Sequence, residues 1–498
     1  LNEIEDRRSR LTPAQRALLA KRLRGDRKET PAEEADDAWK IAPRPAGSSR
    51  PAPLSFAQGR LWHFAASQPG SAAYNVYYVV GLLGPLDVPA LARSVRAVVE
   101  RHHALRTRFP RREEGLAAEV SAELLPEVLP LIDLSALDEG CRGPEAQTLA
   151  IELATPAFDL AQGPLLRIAL LRTVPAAHAL LLAVHHIVID GWSLALMTRE
   201  IAAFYAAFAA GQPSPLPEVP LQSADFTVWQ RRRVAEGAFA ADLEWWRTHL
   251  AGAPADGLSL PERPGAPLGR CTLAVAPPVV EALKALAQRQ RVTLFVTLLA
   301  GLKALLHLHT GATDLIVGTP VVLRGRPEAA GIVGFLLNLL ALRTDAGGDP
   351  SFAELLRRER DSFLGAFTHR EAPLEWLAAE LLPGRSPGDA PWIRVIFNMP
   401  SGGAGHHEPL LAHGVEIEPL LTGEMGSEFP LTLYAREVGE RIRLDLGYKA
   451  NVLAPGEPAR LLERFAALLG EAAARPELRL SELDRSSPCD PSDLLESN

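Results

Sequence analysis

The segment His185-His186-Ile187-Val188-Ile189-Asp190-Gly191-Trp192-Ser193 holds the residue types from which acid–base chemistry is built. It follows Ala177 to Val184 (AHALLLAV), a short apolar run that reads as a buried strand. Successive side chains on a strand point to opposite faces, so one histidine can face the core while its neighbour faces a cavity. Imidazole titrates near neutrality and can accept or share a proton there. Asp190 falls where the chain turns towards a helix, and Gly191 permits a tight or unusual backbone angle at that turn. A carboxylate in that place can hold an arginine or steer the histidine pair. Chemistry alone leaves two readings open: an active-site histidine, or a satisfied structural pair beside a helix cap.

The elements around the motif must position it. After it, Leu194, Met197, Ile201, Phe204 and Phe208 recur at helical spacing, predicting a helix with one buried stripe that ends at Gly211. From Leu54 onward apolar strands alternate with amphipathic helices, the pattern of an α/β or α+β domain. The proline-rich GQPSPLPEVP (211–220) reads as an extended crossing, with a lobe junction just after it. The second half repeats the alternation, with helices over 278–290 and 293–310 and strands over 314–317 and 393–397. The chain thus divides into an N-terminal element (1–48), a lobe carrying the histidine motif (49–228), a second lobe (229–483) and a polar tail (484–498). Thr12-Pro13 starts a short helix in the first part, followed by an acidic and then a proline-rich linker. Residues 1–30 read as a solvated tether or as a docking element for a neighbouring subunit.

Composition narrows the function. The 498 residues carry 52 Lys+Arg and 60 Asp+Glu, a net charge of −8, which offers no general footprint for nucleic acid or an anionic membrane. A hydrophobic content of 47% excludes a disordered chain. Cys141, Cys271 and Cys489 lie far apart in no paired motif, so neither a disulfide framework nor a zinc site is expected. The start, LNEIEDRRSR, lacks a signal-peptide core, and the apolar run from Thr293 to Leu302 is ended by Lys303, short of the roughly 18 residues a membrane span needs. A soluble, cytoplasmic protein in a reducing compartment is the expectation. No serine-hydrolase elbow, zincin, P-loop or dinucleotide fingerprint is present. Three other features read as structural. His102-His103 lies at a helix end, His406-His407 in a glycine-rich stretch, and Arg231 to Arg233 reads as a solvated helix face.

H-H-x-x-x-D-G followed by Trp-Ser resembles the core motif of the condensation domains of nonribosomal peptide synthetases. Further segments resemble that family in order: LSFAQGRLWHF (54–64), PGSAAYNV (69–76), RHHALRTRF (101–109), LQSADFTVWQ (221–230), GTPVVLRGRPE (318–328), IVGFLLNLLALRT (332–344), HREAPLEWL (369–377) and RVIFNMP (394–400). The similarity runs from about 54 to 483. It implies two chloramphenicol-acetyltransferase-like lobes in a V-shaped pseudodimer around a central tunnel. Carrier proteins would present phosphopantetheine thioesters at opposite mouths, and an amide would form between a donor acyl group and an acceptor amine. Carried over by motif, His186 is the catalytic histidine and His185 its structural neighbour. Gly191 supplies backbone near the reacting centre, and Asp190 pairs with Arg324 as a structural clamp. Trp192, Ser193 and Asn398 line the tunnel. No metal and no resident cofactor are implied, since substrates arrive on donor and acceptor carriers.

Both histidines remain, which disfavours heterocycle formation, and Trp192-Ser193 after the aspartate favours condensation over epimerisation. The alternatives are an ester-forming or chain-releasing acyltransferase of the same fold, and a module that recruits carriers without chemistry. One departure stands out. Where the family often has F-D-L-T, this chain has Phe429-Pro430-Leu431-Thr432, and proline there fixes φ and removes a donor.

Overall fold

A strand buried at every position but its last needs cover on both faces, and β1 (Asn75–Leu83) is such a strand. In the computed structural model Val76, Tyr78 and Val80 enter one core cluster, while Tyr77 and Val79 enter another on the opposite face. The structure describes residues 39–45, 51–113, 115–122, 129–260, 268–385, 391–400 and 409–485. The chain separates into two compact units, 1–42 and 43–498. The proposed docking helix in 1–30, the pair His406-His407 and most of the polar tail lie outside the described residues.

Within the second unit, α1 (Phe56–Ser67) begins at Ser55, whose side chain and that of Gln58 satisfy each other's backbone amides in a capping box. β1 follows, then α2 (Val88–Arg101), β2 (Leu131–Asp133), α3 (Glu139–Ala154), β3 (Leu166–Val174), β4 (Ala177–His185) and α4 (Gly191–Ala209). After the extended crossing come α5 (Ser223–Ala235), α6 (Ala240–His249), β5 (Leu268–Val275), α7 (Pro277–Gln290), α8 (Leu294–Thr310), β6 (Asp314–Val322) and β7 (Leu337–Asp345). The chain continues through α9 (Phe352–Thr368), α10 (Leu374–Leu381), β8 (Val395–Asn398), β9 (Leu410–Ala412), β10 (Val415–Glu424), β11 (Leu431–Val438), β12 (Arg441–Lys449) and α11 (Glu457–Ala474).

Two six-stranded sheets result, ordered β9-β10-β1-β4-β3-β2 and β7-β6-β8-β11-β12-β5. The first sheet is therefore not built from the first half of the sequence alone: β10 crosses over to pair with β1, and β9 pairs with β10. The reason is an unsatisfied edge, since without β10 the buried strand β1 would leave a row of amides and carbonyls unpaired. Helix α3 covers one face of this sheet, with Ala150 and Ala154 in the smaller cluster. Helices α2 and α4 lie on the other. The second sheet packs on α8, whose residues Val296–Leu306 are almost all buried. That helix is the apolar run weighed above as a membrane span. Among the described residues no single helix is long and apolar enough to cross a membrane.

Three arginines in sequence cannot share one helix face at 100° per residue, and Arg231 to Arg233 do not form the solvated face expected of them. Arg231 Nε donates to the Leu54 carbonyl at 2.6 Å and the guanidinium lies over Phe56. Arg233 is buried, pairs with Glu371 and packs over Trp229 and Phe239. His102 is buried against Glu200, its Nε2 2.6 Å from a carboxylate oxygen.

Candidate active site

Strand β4 runs antiparallel to β1 with His185 opposite Asn75, and β10 runs antiparallel to β1 on its other side with Glu424 opposite Val76. The C-terminal ends of β4 and β10 therefore both arrive at the start of β1. Three backbone bonds fasten that corner. His186 N donates to Tyr74 O (2.8 Å), Tyr74 N to Gly426 O (2.9 Å) and Met425 N to Asn75 O (2.9 Å).

The two histidines part ways here. His185 is buried; its Nδ1 accepts from Ile187 N at 3.2 Å and its ring meets Phe158 edge-on. Burial, with His186 adding a smaller push, drives its pKa down to about 3, so it is neutral at physiological pH. The His186 side chain keeps 15% of its surface. Its Nδ1–H donates to the Ile189 carbonyl at 2.6 Å, which fixes the ring and leaves Nε2 as the working atom. Phe335 packs edge-on against the ring at 5.1 Å. Nε2 faces Glu424 Oε1 at 3.7 Å, while Glu424 Oε2 accepts from the Tyr434 hydroxyl at 2.7 Å. Burial alone lowers the His186 pKa, but the Glu424 carboxylate, the bond to Ile189 and the charge of Asp190 outweigh it and raise it above the usual histidine value. Burial likewise resists charge on Glu424, yet His186 and the Tyr434 hydroxyl hold its carboxyl below the usual range.

Asp190 has no free lone pair for proton chemistry. Oδ1 accepts from Ser193 N (2.9 Å) and Ser193 Oγ (2.8 Å), capping α4. Oδ2 accepts from Arg324 Nη1 (2.5 Å) and Leu336 N (3.0 Å). Arg324 Nη2 reaches Ser193 Oγ and the Ile332 carbonyl, and the Gly334 amide donates to Ser193 Oγ. A loop of the second sheet, between β6 and β7, is thus bolted to the turn that carries His186. Gln58 Nε2 of α1 adds a bond to the Ile187 carbonyl at 3.0 Å.

Gly191 differs from the expectation of an unusual backbone angle. It is the first residue of α4 without a positive φ, and a Cβ there would meet no other atom within 4 Å. The glycine leaves open space beside its own amide, one of the N–H groups a helix start leaves without an internal partner. Trp192 is 43% exposed, its Nε1 donating to the Ala330 carbonyl at 2.9 Å. Asn398 pairs in parallel register with Tyr434, so its side chain leaves the sheet on the face from which Tyr434 reaches Glu424. Nearby, a groove of about 590 Å³ is bordered by Trp62, Trp392, Arg394, Glu428, Phe429 and Lys449.

Residues 48–495 match the Condensation domain family. The chain belongs to that family. Its relatives include phosphinothricin tripeptide synthetase PhsB of Streptomyces viridochromogenes, 36% identical over 95% of this chain and 40% of that protein. A linear gramicidin synthase of Brevibacillus parabrevis is 35% identical over 91% of this chain and 9% of that protein. The chain thus spans well under half the length of these relatives. Among solved structures, the first condensation domain of the calcium-dependent antibiotic synthetase, in complex with a substrate analogue, superposes with a TM-score of 0.73 at 26% identity. That match covers 88% of this chain and 99% of that one. The X-domain from teicoplanin biosynthesis, at 24% identity and a TM-score of 0.78 over 89% of this chain and 99% of that one, shares the fold.

In this condensation domain the motif reading named the histidines, Asp190, Ser193 and Arg324, and the structure brings Arg324 to Asp190 and Ser193. Ser193, expected to line the tunnel, is instead fully buried in that clamp, its Oγ bonded to Asp190, Arg324 and Gly334. The motif reading gave no sign of Glu424 or Tyr434, which stand beside the imidazole, nor of Glu428. The Phe429-Pro430 departure marked the neighbourhood. Glu428, just before it, ion-pairs with Arg60 of α1 and accepts from the Tyr74 hydroxyl at 2.7 Å. Burial pushes the Tyr74 hydroxyl up to about 12, so it remains a donor.

Proposed function

We propose that this condensation domain joins a donor acyl, peptidyl or polyketidyl thioester to the amine of an acceptor aminoacyl thioester, each held on the phosphopantetheine of a carrier protein. The carrying observation is the imidazole of His186, anchored through Nδ1–H on Ile189 and presenting Nε2 at the accessible corner between β4 and β10. Attack forms the C–N bond and a zwitterionic tetrahedral intermediate. Nε2 orients the amine, takes its surplus proton and passes it to the departing phosphopantetheine thiolate as the C–S bond breaks. Asp190 and Arg324, fully engaged with each other and with the backbone, hold the turn in place. The Gly191 amide, at a helix start with open space beside it, is suited to the oxyanion. Trp192 and Asn398 are positioned to border the substrates. The domain itself needs no cofactor, since the thioesters bring their own pantetheine arms. Free Cys141 and Cys271 fit a reducing, cytoplasmic setting.

The test mixes donor-loaded and acceptor-loaded carriers with the protein and reads intact masses. Transfer of the donor onto the acceptor carrier supports the reading, and its loss in His186→Ala with carrier binding retained assigns the histidine. Transfer only to a free alcohol or amine, or binding without product, overturns it.

A further inference from the structure

Glu424 is a charged carboxylate beside the working nitrogen of His186, in a place that none of the motif segments reaches. Its geometry is not that of a plain structural ion pair. The 3.7 Å between Nε2 and Oε1 is longer than the roughly 2.7–2.9 Å of a charge-assisted hydrogen bond. Oε2 is held by the Tyr434 hydroxyl, so Oε1 is the oxygen left facing the imidazole. Both side chains keep some accessible surface, 15% for His186 and 25% for Glu424. A tetrahedral nitrogen bonded to two acceptors at about 2.9 Å spans about 4.7 Å between them, so a swing of about 1 Å by the carboxylate would seat one.

We infer that Glu424 and His186 form a two-point cradle for the protonated α-amine of the acceptor, one N–H donated to Oε1 and one to Nε2, and that this cradle makes the site select amines over hydroxyls. The inference rests on the amide-forming reading above. An ammonium has three donors and a full charge, and a carboxylate beside a neutral imidazole offers two acceptors and the opposite charge. A hydroxyl brings one donor and no charge. The charged and titratable groups around the pair are His185 and Asp190 from the motif turn, Tyr434 and Arg436 from β11, Tyr74 ahead of β1, and Arg270 of β5, whose Nη2 donates to the Glu424 carbonyl at 2.9 Å. Of these, Arg436 helps His186 and Tyr434 hold the Glu424 carboxyl down, while Arg270 bonds its main chain.

Protons balance through the cradle. The ammonium passes one proton to Nε2, which frees the nitrogen lone pair and leaves an imidazolium opposite the carboxylate. Attack makes the C–N bond. The imidazolium gives that first proton to solvent through Oε1, and Nε2 then takes the surplus N–H proton of the zwitterion and passes it to the departing thiolate as the C–S bond breaks. The raised pKa of His186 and the lowered pKa of Glu424 agree with a pair arranged to hold that charge.

Glu424→Gln keeps the shape and an oxygen for Tyr434 but removes the charge. Wild type and variant would be compared from pH 6 to 9, with aminoacyl-pantetheine thioesters of the proteinogenic amino acids and their 2-hydroxyacyl counterparts as acceptors. Acetyl-, octanoyl- and aminoacyl-pantetheine serve as donors. For the wild type, kcat/KM for amines should not follow the ionisation of the amine: it should stay level from pH 9 down to the raised pKa of His186 and fall only below it, as the imidazole that must accept a proton becomes charged. In Glu424→Gln it should fall about tenfold for each unit below the amine's own pKa, at or below about 7.7–8.0. It should recover near pH 9, where the free amine needs no carboxylate, and that recovery also shows that the variant is folded. The amine-over-hydroxyl preference should drop at least tenfold at pH 7. A loss equal at every pH, or an unchanged profile and preference, overturns the cradle while amide formation by the wild type leaves the function standing. A wild type that makes no amide with any pairing overturns both.

Discussion

Asp190 resembles a catalytic aspartate in sequence, yet its two oxygens accept four donors and its side chain has no exposed surface. Arg324, equally buried, is its charge partner. Removing one member of such a pair leaves an uncompensated charge in a dry site, which costs about 3–5 kcal/mol. Asp190→Asn and Arg324→Met should each lower the unfolding free energy measured in urea by that much. The double variant Asp190→Asn/Arg324→Met should lose clearly less than the sum, because the partners share one interaction. Additive losses, or a stable Asp190→Asn with chemistry alone abolished, would instead make Asp190 a reacting group. At this scale the sequence was informative where a residue's job is local. His185, His186 and Asp190 are set by the strand–turn–helix that contains them; His185, the last residue of β4, is buried, and the accessible imidazole of His186 is turned away by the 3₁₀ turn that starts there rather than by alternation along the strand.

At the scale of elements, the site depends on β10 lying flush against β1. Gly423 stands opposite Tyr77 in that pairing, and a Cβ on it would come within 2.2 Å of the buried Tyr77 ring. Neither the ring nor the paired backbone can move freely, so Gly423→Ala should push the end of β10 away from β1 at a cost of about 1–3 kcal/mol. Glu424 is the next residue, so the His186–Glu424 geometry should go with it, and condensation should fall further than stability explains. Tyr77→Leu in the same chain should restore both, whereas wild-type melting and rate in Gly423→Ala would refute the fit. This is also why Glu424 was not legible in the sequence. The helix of Leu194 to Phe208 and the strand of Ala177 to Val184 announce themselves through their own periodicity. Nothing in VEIEPLLTGE announces that the strand crosses to the other sheet, since that partner is chosen by the open edge of β1 and by register.

Besides Arg324, a second buried arginine ties the molecule across its two sheets. Arg60 of α1, in the first lobe, donates Nε to Glu375 of α10, in the second, at 2.9 Å, and pairs with Glu428 on the segment that returns from β10 to β11. Its side chain is 4% exposed and the guanidinium lies near the face of Phe429. A planar, permanently charged fork can bridge two carboxylates that an ammonium cannot span, so Arg60→Lys should keep the charge and lose part of the bridge. Arg60→Met leaves both glutamates without their cation in a dry seam, with an expected cost of about 3–5 kcal/mol. Because the three groups belong to different parts of the chain, the loss should show as a loosened seam before global unfolding. Limited proteolysis should cut the return segment around Met425 to Phe429 faster in the order wild type, Arg60→Lys, Arg60→Met. Adding Glu375→Gln and Glu428→Gln to Arg60→Met should recover part of the resistance, since neutral amides no longer need the cation. Equal cleavage rates in all four proteins would show that sheet pairing and apolar packing alone hold the lobes together, and that Arg60 is a passenger in the seam.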